Sequence, residues 1–189
     1  MNTKTFLLLA CAASSLAAAP AGAHELQSNR ATLVLRDNHH LSLSLYLDYC
    51  QLLQRTLAPG SNQREFVLRY AALPPRALRS ALQQAQIQLE KDALLHLPKQ
   101  QAIRFSRWQW PDLQAVQQLL QQRAMQSVVA PHDHPHAAQL EIHAEANTSA
   151  PIQQLDLQLP AAMQPLLLVS YQPSQQWLNG GSGRSPIKF

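Results

Sequence analysis

The sequence predicts an α+β fold that is mainly β: an Ig-like two-sheet β-sandwich with a helical middle segment. Three observations lead there. Apolar and polar residues alternate near both ends of the chain, helical spacing dominates from about residue 48 to 126, and no internal repeat or second composition block divides the rest. The expected organisation is a leader over residues 1–23, a single sandwich domain over 24–179 carrying the helical insertion, and a flexible C-terminal tail over 180–189.

The leader is read first. Met1 to Lys4 carries one positive charge, Phe6 to Ala19 is apolar and small, and Pro20 breaks any helix before Ala21-Gly22-Ala23, which fits a signal-peptidase site. The apolar stretch is short for a membrane span of about 20 residues. Export to the periplasm with cleavage after Ala23 is expected. The competing reading is a lipobox ending at Cys11, for which the preceding apolar core, Phe6 to Ala10, is short and its leucine pattern a poor match.

Downstream, Ala31 to Arg36 alternates, Asp37-Asn38-His39-His40 supplies a turn, and Leu41 to Leu47 alternates strictly, with leucines on one face and Ser42, Ser44 and Tyr46 on the other. That is a hairpin with one face against a core. Asp48 to Leu57 shifts to helical spacing and stops at Ala58-Pro59-Gly60, and Arg64 to Leu73 is a second short helix stopped by Pro74-Pro75. Pro75 suits the first turn of a helix over about 76–91, with Leu78, Leu82, Ala85 and Leu89 on one face. Ala93 to Leu97 and Ile103 to Trp110 are expected strands. Pro111-Asp112 opens a helix to about Met125, with a stripe of Leu113, Val116, Leu119 and Leu120. Residues 130–137 form a histidine-rich loop. Gln139 to Ala146, Leu155 to Leu159, Leu166 to Tyr171 and Gln175 to Leu178 are the closing strands, and Gly180-Gly-Ser-Gly183 marks the tail.

The formal net charge is +4, but the arginines are scattered and no basic run or aromatic-interleaved patch occurs, so no nucleic-acid partner is expected. Cys50 is the single cysteine after cleavage. It cannot form an internal disulfide and is read as a buried small hydrophobe.

The chemistry-bearing residues are histidines, all eight of which follow the leader. Cleavage after Ala23 makes His24 the first residue, and an amino-terminal histidine offers two nitrogens, its free amine and ring Nδ1, that suit copper, nickel or zinc. A second cluster, His132-Asp133-His134-Pro135-His136, lies between stiffening prolines. Alternate histidines in extended backbone point the same way, so convergence on one ion is sterically reasonable. The expected metal ligands are therefore His24 with two of His132, His134 and His136, and Asp133 as a weak axial or tautomer-fixing group. His39-His40 is expected to be a polar turn. His96 alternates with leucines, and His143, between Glu141 and Glu145, is an outside candidate for a fourth ligand. Trp108-Gln-Trp110 reads as one ring packed inside and one at the rim. No phosphate loop, HExxH, CxxC or paired-carboxylate pattern is found, and no enzyme activity is expected.

Ala23-His24-Glu25-Leu26, then a strand, an Asp-Asn turn and Leu41 to Asp48, together with Leu157 to Ser170, resemble the exported β-rich domain that precedes or accompanies HupE/UreJ-type membrane proteins. The resemblance covers both ends of the chain but not the helical middle. It implies a metal-related accessory role beside an integral membrane HupE/UreJ-like partner, with nickel or cobalt handling in the background. No transmembrane stretch is read in this chain, so it is not itself expected to span a membrane or transport. A looser similarity to CopC-like periplasmic copper carriers rests on His24 and on Asp133 with His134 or His136. The expectation is an exported carrier or accessory that binds copper or nickel. The alternative is a structural or interaction module without metal, docking a partner through a sheet edge or through the Leu113, Leu119 and Leu120 stripe.

Overall fold

The hairpin forms as the alternation predicts. Strands β1 (Arg30–Arg36) and β2 (His40–Asp48) run antiparallel in a computed structural model that describes residues 29–98, 102–129 and 139–175. Asp37, Asn38 and His39 form a three-residue loop in which Asp37 and Asn38 have positive φ of 49° and 58°, and the His39 N–H bonds the Arg36 carbonyl at 3.1 Å. A turn of this hand matches strand twist, and Asp and Asn tolerate left-handed backbone better than other non-glycine residues. Leu41, Leu43, Leu45 and Leu47 are buried, while the intervening Ser42, Ser44 and Tyr46 lie half-buried on the opposite face.

In chain order there follow helices α1 (Tyr49–Leu57), α2 (Gln63–Ala71) and α3 (Pro75–Asp92), and strands β3 (Leu94–His96), β4 (Ile103–Arg104) and β5 (Ser106–Gln109). Helix α4 (Leu113–Val129) and strands β6 (Gln139–Asn147), β7 (Asp156–Gln158) and β8 (Leu167–Tyr171) complete the fold. The strands build two sheets, one of five in the order β5-β6-β2-β1-β8 and one of three in the order β4-β3-β7. All pairs are antiparallel except β1 with β8. The fold is α+β.

Local chemistry sets the helix starts. Asp48 caps α1 by accepting from the Gln51 N–H, Asn62 caps α2 by accepting from Arg64 and Glu65, and Pro75 occupies the first turn of α3. Helix α4 runs past the expected stop near Met125 because nothing up to Val129 breaks it. Its Val116, Leu119 and Leu120 are buried and it packs mainly on α2. That stripe is core rather than a docking surface.

The expected single strand over 103–110 is instead two, in different sheets. The chain leaves β4 at the buried Phe105 and enters β5 at the far edge of the larger sheet, with Arg107 at φ 50° and a register shift between Ser106 and Gln109. One aromatic anchored in the core, followed by a bulge, redirects the strand. The leader, the histidine-rich loop over 130–137, the tail over 180–189 and all but Gln175 of the strand expected over 175–178 lie outside the described residues. Among the described residues, no helix is long and apolar enough to cross a membrane.

Candidate functional site

The end of the larger sheet at Asp48 is where the chain segments flanking the proposed ligands come together. The Asp48 N–H donates to the Asn29 side-chain oxygen at 2.8 Å. Asp48 also stands opposite Gln139, the first residue of β6. Asn29, just before β1, and Gln139, at the start of β6, therefore lie on either side of β2, about 10 Å apart at the usual inter-strand spacing. On the inner side, Oδ2 of Asp48 accepts from Arg123 on α4 at 3.4 Å, while Oδ1 caps α1. One carboxylate thus ties together strand, helix start and helical layer.

The residues proposed from sequence as metal ligands, His24, His132, Asp133, His134 and His136, all lie outside the described residues. The other four histidines are described, and the structure does not bring them together. His39 and His40 are at the opposite end of the sheet, where Nδ1 of His39 meets the Thr148 carbonyl at 3.1 Å and Nδ1 of His40 meets Oδ1 of Asn147 at 2.8 Å. They pin the hairpin loop to the end of β6. His96 sits on the smaller sheet with Nε2 3.1 Å from Oε1 of Gln158 on β7. Among the described residues, no group of three or more His, Cys, Asp or Glu side chains is placed to hold a metal ion.

His143 has a different setting from the one a ligand requires. Its Nδ1 is 2.9 Å from the Ser44 hydroxyl and its Nε2 is 3.2 Å from Oε1 of Glu141, so both ring nitrogens are engaged. The register that places Ser44 opposite His143 on β2 and β6 creates this chain. It extends to Tyr46, whose hydroxyl donates to Glu141; that bond, with some burial, raises the phenol above its ordinary pKa. The Arg30 guanidinium lies 4.4 Å from the Tyr46 ring centroid. Sequence reasoning missed this row because a strand's outward face is readable from alternation, but its partner's register is not. Ser, His and Glu in sequence are connected as in a hydrolase relay. However, β2 is paired on both sides, so its backbone N–H groups are spent in the ladders and do not point at the space above Ser44 as an oxyanion hole requires.

Cys50 is buried as expected, and desolvation, reinforced by the neighbouring Asp48 charge, pushes its thiol up to about 12. A thiol held protonated in this way is a core residue and a poor nucleophile. The tryptophans differ from expectation. Trp108 on β5 and Trp110 just past its end stack with ring centroids 5.4 Å apart, and both are half-buried. Nε1 of Trp110 donates to Glu90 at 2.7 Å, whereas Nε1 of Trp108 is buried without a partner.

Compared with family models, curated proteins and solved structures, the chain matches none of them.

Proposed function

We propose that the mature chain is an exported, non-enzymatic accessory protein that binds a transition metal, copper or nickel. Its ligands are the amine and ring of His24 with two of His132, His134 and His136, and Asp133 serves as an axial or tautomer-fixing group. The fold is proposed to be an Ig-like sandwich, and the partner an integral membrane protein of the HupE/UreJ type.

One observation supports this reading above the others: Asn29 and Gln139 flank Asp48 at the same end of one sheet. The spans from His24 to Asn29 and from His136 to Gln139 reach up to roughly 17 Å and 10 Å when extended. The gap of about 10 Å between the two anchors lies within that reach. Anchors at opposite ends of β2 would stand about 27 Å apart, a distance that only fully extended spans could bridge. The donor chemistry fits as well, since imidazoles and a neutral amine favour copper and nickel over hard cations such as magnesium.

The test is titration of the mature, untagged protein with Cu(II) and Ni(II), beside the triple variant His132→Ala, His134→Ala, His136→Ala. Micromolar or tighter binding that falls at least tenfold in the variant supports the reading. Equal affinity in both proteins removes the loop from the site.

A further inference from the structure

The larger sheet ends in a strand that carries none of the usual protection. All five residues of β8, Leu167 to Tyr171, are exposed, and four of them, Leu167, Leu168, Val169 and Tyr171, are large and apolar, 45–53 % exposed. The strand has no charge, proline or bulge to blunt its edge. Its free backbone can be identified. The Leu167 N–H donates to the Asn29 carbonyl at 2.8 Å, so in the parallel ladder Leu167, Val169 and Tyr171 bond towards β1. The N–H and C=O groups of Leu168 and Ser170 then face away from the sheet. Beside this edge runs an open groove of about 290 Å³ whose far wall is β7 and the segment before it, including Ile152, Leu155 and Leu157. The groove forms a slot under the edge, lined on the sheet side by Leu33, Leu35 and Leu41 as well as Leu168 and Ser170.

We infer that this slot takes an extended, uncharged peptide segment of a partner protein, added as a sixth strand beside β8 with alternate apolar side chains in the groove. Three arguments select that occupant. Among the described residues no strand pairs with the outward groups of Leu168 and Ser170, which repeat at strand spacing that an extended backbone matches along the edge. Every residue lining the groove is uncharged, so a charged segment would lose its hydration without compensation. A second copy pairing β8 with β8 would cover only a few hundred Å² per protomer, under the total of about 1,000 Å² that a stable interface needs. The inference stands apart from the metal reading, since it involves none of the proposed ligands.

The experiment selects phage-displayed ten-residue random peptides on the immobilised mature chain, after depletion on the Leu168→Asp protein. The best peptide is then measured by fluorescence anisotropy against wild type, Leu168→Asp and Ser170→Pro. The proline removes one outward N–H and leaves the ladder to β1 intact. Far-UV circular dichroism and thermal unfolding establish that both variants fold. The expected result is enrichment of uncharged, alternating apolar sequences whose affinity falls at least tenfold in each variant. Three outcomes would overturn the inference: no enrichment, peptides that bind the Ser170→Pro protein as well as wild type, or a wild-type dimer in light scattering that Leu168→Asp converts to monomer.

Discussion

Asp48 and Arg123 meet across the fold with Oδ2 3.4 Å from a guanidinium nitrogen, their side chains 17 % and 9 % exposed. They come from the end of the hairpin and the middle of α4, so this contact fixes how the helical layer sits on the sheet. Breaking an ion pair buried to that degree is destabilising. Asp48→Ala, which removes both this contact and the α1 cap, should therefore cost about 2 kcal/mol or more, about 1 kcal/mol of it from the cap. Asp48→Asn, which keeps a capping oxygen, should cost less. Urea unfolding of both variants checks the order, and equal midpoints would show that the cap contributes nothing beyond the ion pair.

Core and edge positions of the larger sheet should also separate in stability. Leu45→Ala deletes a side chain with no exposure and should cost about 2–5 kcal/mol through lost burial and the cavity left behind. Leu168→Ala, on the exposed edge strand, should cost under about 1 kcal/mol. Denaturant midpoints of the two variants provide the comparison.

Much of this architecture is legible in the residues. The strict alternation of Leu41 to Leu47 fixes which face of β2 is buried, Asp37-Asn38 marks the turn, and Pro75 with the Leu78–Leu89 stripe marks α3. What is not legible is long-range. Nothing local reveals that Phe105 divides one apparent strand between two sheets, or that β8 pairs parallel to β1 and is left at the edge. Arg123 reads as one more scattered surface cation until α4 brings it to Asp48, a partner 75 residues away. The candidate site divides similarly. Residue chemistry singles out His24 and the 132–136 cluster, whereas the proximity of Asn29 to Gln139 depends on strand order. The engagement of His143 depends on register.

Stability should fall at alkaline pH through Cys50. Its thiol is pushed up from an ordinary value of 9.0 to about 12 in the fold. Between those values the unfolded chain has lost the proton and the native state has kept it. The stabilisation is full below about pH 9 and declines towards pH 12, at up to about 1.4 kcal/mol per pH unit. The buried Tyr49, whose phenol is also raised, adds the same trend above pH 10. Urea midpoints of wild type and Cys50→Ala at pH 7 to 10 should diverge in slope above pH 9. Parallel slopes would show that the thiol is solvated.

His143 should be dispensable for metal. Both of its ring nitrogens already bond within the sheet, to Ser44 and Glu141, so His143→Ala should leave copper affinity within about twofold, well under the tenfold that 1.4 kcal/mol represents. Isothermal titration with Cu(II) reads this directly. A tenfold loss would make His143 a ligand and require its ring to leave Ser44.

The most direct test adds one alanine ahead of His24 in the mature protein and measures Cu(II) affinity by competition with a chelator of known strength. Moving the free amine off His24 breaks its pairing with ring Nδ1 while leaving every described contact in place. Affinity should fall by an order of magnitude or more. An extended protein that binds copper as tightly as the mature chain would contradict the account.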